Sequence, residues 1–111
     1  MASPREILIY TTADGHAPFS EWINALRDVA GRAIIRARIN RVRLGNFGDC
    51  KTIGGGVLEL RIDSGPGYRV YLAKEGSSLV VLFTGGDKRS QKRDIAQAQK
   101  YWEDYRSRDN G

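Results

Sequence analysis

Hydrophobic residues in the first half of the chain change from strand-like to helical spacing. A short apolar run at 7–10, followed by polar residues, predicts an opening strand. Beyond Pro18, apolar residues recur at intervals of three and four, which predicts a helix that ends at Gly31. The stripe of this helix is Phe19, Trp22, Ile23, Leu26 and Val29. A second helix is predicted over 32–44 from the same spacing of Ile35, Ile39 and Val42.

The second half of the chain is dominated by strand patterns. Gly54, Gly55 and Gly56 form a connector, and three strands are predicted after it, over 57–62, 68–73 and 79–83. The turns between these strands are short enough for consecutive antiparallel hairpins, so the three strands form a meander. The third strand is apolar on both faces, which places it inside the sheet with cover on one or both sides.

A closing helix follows Gly85 and Gly86. Its apolar stripe is Ile95, Ala98, Trp102 and Tyr105. The predicted order is therefore β-α-α-β-β-β-α, an α+β fold in which helices pack on an antiparallel sheet. With 111 residues and no internal repeat or linker, the chain is expected to be a single domain spanning 1–111.

Charge and cysteine usage narrow the class of protein. Lys and Arg total 18 against 13 acidic residues, a net charge of +5, which favours an anionic partner such as nucleic acid. A single cysteine, Cys50, excludes an intramolecular disulfide framework, and no run is long and apolar enough for a signal peptide or a membrane span. We therefore expect a cytoplasmic protein. With His16 as the one histidine, a metal site or a Ser/His/Asp system is not expected, and neither is a cofactor.

The predicted second helix contains five arginines and no acidic residue. Arg32, Arg36 and Arg43 fall close together beside the apolar stripe, while Arg38 lies awkwardly between Ile34 and Val42. Two interpretations stay open. The arginines either form a solvated face whose stems cover the core, or contact RNA, a protein partner or the ribosome.

Strand alternation predicts a polar patch on one face of the first hairpin. Leu58, Leu60 and Ile62 share the opposite face, as do Tyr68, Val70 and Leu72. The patch itself would gather Glu59, Arg61, Arg69 and Tyr71. The alternative is a surface ion pair between Glu59 and one arginine, which contributes only about 0 to 1 kcal/mol.

Four cations surround the predicted start of the last helix, namely Lys88, Arg89, Lys92 and Arg93. The positive end of the helix dipole repels each well-placed cation by about 0.3 to 1 kcal/mol. Such a local conflict is expected where function requires it, because a phosphate bound at this point would turn repulsion into attraction.

Three ordered motifs carry a resemblance to a known family. They are the run 56–62, the Gly-Tyr-Arg-Val-Tyr segment at 67–71, and Gly-Gly-Asp-Lys at 85–88 followed by Gln91, Asp94, Ile95 and Ala98. Together they resemble the HigB-type branch of the RelE toxin superfamily, over nearly the whole chain. The resemblance implies a RelE-like fold and a toxin of a type II toxin-antitoxin system. Such toxins are mRNA endoribonucleases that usually act on the ribosome, and a cognate antitoxin protein, often with a helix-turn-helix, holds them inactive.

The resemblance also suggests site residues. Arg69 is the strongest catalytic candidate because relatives carry a functional arginine in this motif, and Arg61 and Lys88 come next. Tyr71, Arg89 and Lys92 are candidates for RNA binding, and so, more weakly, is Lys51. Some relatives use a tyrosine or histidine near the end of the chain, where Tyr101 and Tyr105 are the possible equivalents.

The chemistry that suits these residues is metal-independent. A ribose 2'-hydroxyl attacks the adjacent phosphodiester, Arg69 and Arg61 hold the non-bridging oxygens, and Lys88 or Arg89 stabilises the developing charge. The base stays open between Glu59 and Tyr71. Two rivals also stay open: a basic RNA- or DNA-binding module without catalysis, and a toxin whose target is not mRNA.

Overall fold

A computed structural model describes residues 4–109 as a three-layer α+β domain. A five-stranded sheet forms the middle layer, with strands β1 (Glu6–Ile9), β2 (Cys50–Thr52), β3 (Leu58–Ile62), β4 (Tyr68–Glu75) and β5 (Leu79–Gly86). Helices α1 (Pro18–Ala25) and α2 (Val29–Arg43) precede β2, and a 3₁₀ turn (Lys88–Ser90) leads into α3 (Gln91–Asp109). Within residues 4–109, the helices are all too short or too polar to span a bilayer.

The sheet is mixed, with strand order β1-β5-β4-β3-β2. The predicted meander of β3, β4 and β5 is confirmed, because both of its pairings are antiparallel. The expectation of a purely antiparallel sheet was wrong, since β1 pairs with β5 in parallel. Strand β2 was not predicted, because its three residues are too few and too polar to show an alternation.

Strand β5 lies between β1 and β4 and is covered on both faces, as its apolar sequence predicts. On one face, Val80 and Leu82 pack in a cluster with residues of α1 and α2 such as Ile23 and Ile35. On the other face, the cluster includes Val81 and Phe83 with Ala98 and Trp102 of α3. The two cores account for the three layers.

The boundary between α1 and α2 lies earlier than predicted. Helix α1 ends at Ala25, and Gly31, the predicted stop, lies in the first turn of α2. Asp28 is the N-cap, and its carboxylate accepts a hydrogen bond from the Gly31 amide at 2.9 Å. A side chain at Gly31 would overlap Asp28 and Tyr68, so glycine is needed here for close packing and not for a helix end.

A β-bulge interrupts the pairing of β4 with β5. Tyr71 pairs with Thr84, but Leu72 pairs with Leu82, so one extra residue is inserted in β5. Because side chains alternate along a strand, this insertion changes the face on which every later residue lies. As a result, a side chain at Gly85 would meet Trp22 of α1, and one at Gly86 would meet Asp94 of α3. The sequence pattern, which ended this strand at 83, did not predict that both glycines belong to β5.

Candidate active site

Two arginines lie directly opposite each other on neighbouring strands. Arg61 of β3 pairs in register with Arg69 of β4, so both side chains extend from the same face of the sheet. The Arg61 side chain is 38% exposed and the Arg69 side chain only 9%. Like charges directly opposite each other destabilise a sheet, so this pair requires compensation from the surrounding residues.

The compensating group is the buried carboxylate of Glu59. Its Oε1 lies 3.3 Å from Nε of Arg61 and 3.9 Å from Nε of Arg69. Its Oε2 accepts hydrogen bonds of 2.9 Å from the Tyr71 hydroxyl and from Nε2 of Gln91 in α3. Glu59 is 0% exposed, so the alternative of a surface ion pair was wrong. The four residues of the predicted patch do come together, but around a buried acid.

Arg69 keeps unused hydrogen-bonding capacity in this network. One terminal nitrogen, Nη1, donates to the carbonyl of Tyr68 at 3.0 Å. Its Nε is buried and has no hydrogen-bond acceptor among residues 4–109. The Glu59 carboxylate, 3.9 Å away, is an ion-pair partner but is too distant for a hydrogen bond. A buried donor without an acceptor costs stability, and Arg69 keeps its place in the site despite that cost.

A surface cavity of about 370 Å³ brings the three predicted catalytic residues together. Arg61 and Arg69 line it from the strands, and Lys88 lines it from the 3₁₀ turn. The turn between β3 and β4 closes one side, where a side chain at Gly67 would crowd the Lys88 stem. From the sequence, this convergence was predicted on one condition, that the ends of β3 and β4 lie close to Lys88.

Two acidic residues of the cavity were not predicted from the sequence as site residues. Asp49 and Asp63 line it together with the three cations, and both are exposed. Asp63 follows the end of β3 directly, so its position beside the site could have been inferred from the strand boundary. The backbone amide of Arg61 donates to the carbonyl of Asp49 at 3.0 Å, a contact that depends on the unpredicted strand β2.

Acidic residues reduce the predicted conflict at the start of α3. Asp87 forms a capping box with Ser90, accepting from the amides of Arg89 and Ser90. Arg89 lies 3.7 Å from the Asp87 carboxylate, and Arg93 lies 3.4 Å from that of Asp94. Acidic side chains at the start of α3 therefore offset part of the repulsion between the four cations and the helix dipole, which the sequence alone did not indicate.

The predicted RNA-binding residues lie in different environments. Lys51 is exposed on β2, paired in register with Glu59, and Lys92 is exposed in the first turn of α3. Arg89 is exposed and lines a second cavity with Trp22 and Arg93.

Tyr71 is fully buried, which does not fit direct contact with RNA. Burial, followed by the hydrogen bond to Glu59, raises the pKa of Tyr71 far above its usual range, so its hydroxyl is also unsuited to act as a base. We therefore assign it a supporting role.

The two C-terminal tyrosines lie far from the arginine pair. Tyr101 packs against Tyr10 with ring centroids 4.9 Å apart, and Tyr105 stacks on Trp102 at 5.7 Å. Tyr105 lies 14 residues beyond Gln91 in the same helix, which separates them by about 21 Å along the axis. Neither tyrosine lines the cavity that contains Arg61, Arg69 and Lys88.

His16 and Cys50 lie outside the cavity. His16 is an exposed loop residue 2.9 Å from Glu21, whose hydrogen bond raises the pKa of the imidazole. Cys50 is half-buried in β2, and burial raises the pKa of its thiol. Among residues 4–109, no three His, Cys, Asp or Glu side chains are grouped so that they could hold a metal ion.

One arginine of α2 is structural. Arg38 donates to the carbonyl of Arg61 at 2.7 Å and to those of Phe47 and Asp49 at 3.0 and 3.1 Å. Its awkward position on the helical wheel is explained because it reaches across to the end of β3. It thereby connects α2 to the strand that carries Arg61.

Comparison with known proteins identifies a relative without assigning an activity. An uncharacterized protein of Haemophilus influenzae is 49% identical over 81 residues, which cover 73% of this chain and 82% of that protein. The chain belongs to the family of this Haemophilus protein. No family model matches the sequence.

Proposed function

We propose that the protein is a RelE/HigB-type toxin, an endoribonuclease that cleaves messenger RNA and so inhibits translation. One observation carries the proposal: three cations, Arg61, Arg69 and Lys88, line a single cavity. Guanidinium groups match the geometry of phosphate oxygens.

In the proposed reaction, the 2'-oxygen of a ribose forms a bond to the adjacent phosphorus while the bond from phosphorus to the 5'-oxygen breaks. The products carry a 2',3'-cyclic phosphate and a 5'-hydroxyl. Arg61 and Arg69 bind the non-bridging oxygens, on which negative charge increases in the transition state. No metal ion enters this scheme.

Proton transfer is assigned to residues other than Glu59 and Tyr71, which were the candidates from the sequence. Glu59 already accepts hydrogen bonds from Tyr71 and Gln91, so it is a poor candidate for the base. Asp49 and Asp63 line the cavity, and we propose that one of these carboxylates accepts the 2'-hydroxyl proton. Lys88 then donates a proton to the leaving 5'-oxygen, which an arginine cannot readily do.

The order of elements supports a RelE-like fold. It agrees with the expected β-α-α-β-β-β-α order, to which the short strand β2 is added. The fold alone does not fix an activity, so the proposal depends on the site.

The proposed partners follow from the resemblance to RelE/HigB toxins, and the net charge of +5 fits an anionic substrate. We propose mRNA as the substrate, the ribosome as the place of cleavage, and an antitoxin with an acidic or amphipathic segment as the inhibitor. The exposed arginines of α2, among them Arg36 and Arg43, offer a second cationic surface to such a partner.

Controlled expression in a bacterial host tests the proposal. Wild type should arrest growth and yield transcripts with discrete internal cuts, and Arg69→Ala should abolish both. Arg27→Ala, which removes an equal charge at an exposed position outside the cavity, should behave as wild type. Coexpression of the neighbouring gene should restore growth.

Growth arrest with intact transcripts would reject mRNA as the target. If Arg69→Ala lost RNA binding and cleavage in equal measure, the variant would not separate catalysis from binding, and a binding module without catalysis would stay open. If it kept RNA binding and lost only the cuts, the enzyme would be supported.

A further inference from the structure

A second cavity of about 540 Å³ lies beside the first and has no role in the scheme above. Trp22 of α1 lines one side of it, and Arg89 and Arg93 line it from the start of α3. Gly85 and Gly86 form its backbone wall. An aromatic side chain beside two arginines combines a stacking surface with phosphate-binding groups.

The Trp22 ring is held in a defined position. One side of the indole lies on Gly85, where any side chain would overlap the ring. Phe19 and Tyr68 pack near it at centroid distances of 5.9 and 6.2 Å with steep interplanar angles. Trp22 is nevertheless partly exposed, so a preorganised aromatic surface borders the cavity.

Both arginines are free to turn toward an anion. The side chains of Arg89 and Arg93 are 89% and 79% exposed, and their acidic neighbours Asp87 and Asp94 are 3.7 and 3.4 Å away. The arginine end of each pair is exposed and its contact to the carboxylate is long, so a phosphate can compete for the guanidinium.

The two cavities lie on either side of one segment. Gly86, which lines the second cavity, pairs in register with Arg69, which lines the first. The consecutive cations Lys88 and Arg89 line the first and second cavity respectively. A single strand of RNA that crosses this segment can therefore occupy both cavities.

We propose that the second cavity is a nucleotide-binding subsite for single-stranded RNA. A base that flanks the cleaved phosphate stacks on Trp22, and Arg89 and Arg93 bind the phosphate of that nucleotide. This inference rests on the proposed function, because it assigns the flanking nucleotide of the same substrate.

Tryptophan fluorescence tests the subsite directly. The chain has two tryptophans, and Trp102 of α3 is buried against β5, so Trp102→Phe leaves Trp22 as the reporter. A short 2'-O-methyl RNA, which lacks the attacking hydroxyl, should quench this emission on binding. Trp22→Leu in the wild-type background should weaken binding of the same RNA by about tenfold, and Trp22→Phe by less because a ring remains.

Matched arginine variants test the second half of the subsite. Arg89→Ala with Arg93→Ala should weaken binding of the 2'-O-methyl RNA more than Arg27→Ala with Arg41→Ala, which removes the same charge at exposed positions elsewhere. Equal losses in the two double variants would overturn the phosphate assignment.

Absence of quenching, with unchanged affinity in Trp22→Phe and Trp22→Leu, would overturn the stacking assignment. If Trp22→Leu does not fold, two measurements still test the stacking of a base on Trp22: quenching of Trp22 in the Trp102→Phe protein, and the RNA affinity of Trp22→Phe. Cleavage of unmodified RNA is measured separately. Quenching without cleavage would reject the proposed enzyme activity and support the subsite. Cleavage without quenching would support the enzyme activity and reject the subsite.

Discussion

At the scale of single residues, Glu59 determines whether the site can exist. It places one buried carboxylate near two arginines that face each other across β3 and β4. Two neutral donors, Tyr71 and Gln91, complete its hydrogen bonding. A buried acid of this kind contributes less to net stability than to holding the cations in one arrangement.

We expect Glu59→Gln to destabilise the fold by about 3 kcal/mol, because two adjacent arginines lose their shared negative charge while the shape of the side chain is kept. Urea denaturation measures the change. Glu103→Gln, at an exposed position of α3, should stay within about 0.5 kcal/mol of wild type. An equally small change in Glu59→Gln would contradict the role assigned to the carboxylate.

Alternation along the strands was enough to predict that Glu59, Arg61, Arg69 and Tyr71 share one face. It could not predict burial, because the cover comes from Gln91 in a helix 32 residues away. The acids of the cavity were missed for the same reason: Asp49 lies beside Arg61 through β2, which has almost no sequence pattern of its own.

At the scale of elements, one hydrogen bond links the start of α2 to β4. The hydroxyl of Tyr68 donates to the N-cap residue Asp28 at 2.7 Å. Burial and this bond raise the pKa of Tyr68 to about 12, and the same bond lowers the pKa of Asp28 below its ordinary 3.8. The link therefore responds to pH at both ends of the range.

We expect the stability advantage of wild type over Tyr68→Phe to be constant between about pH 5 and 9. Above pH 10 it should decline toward pH 12, because a raised tyrosine pKa favours folding only while the hydroxyl stays protonated. Below pH 3.8 it should also decline, because a lowered aspartate pKa favours folding only while the carboxylate is charged. Denaturation midpoints of both proteins across this range measure the difference, in which other titrating groups cancel. A difference that does not vary with pH would contradict the assignment.

Local spacing predicted the helices and the meander, but not where the elements join. Gly31 was interpreted as a helix end because glycine often follows the last turn, whereas here close packing against Tyr68 requires it. The bulge in β5 has no local signature, although it decides that Gly85 meets Trp22 and Gly86 meets Asp94.

At the scale of the whole molecule, the net charge of +5 is spread over several surfaces. Exposed arginines lie on α2 and in the last turn of α3 as well as at the start of α3. The end of the sheet that carries the arginine pair is distinguished because its cations border two adjoining cavities. A protein that binds an extended anionic chain needs a lined cationic surface of this kind, which composition alone could not reveal.

The chemistry of the cleaved ends tests the central claim most directly. Transcripts from cells that express the wild-type protein should carry new 5'-hydroxyl ends and 2',3'-cyclic phosphates at matching sites, and cells that express Arg69→Ala should lack both. Cuts that leave 5'-phosphates, or transcripts that stay intact during growth arrest, would contradict the account.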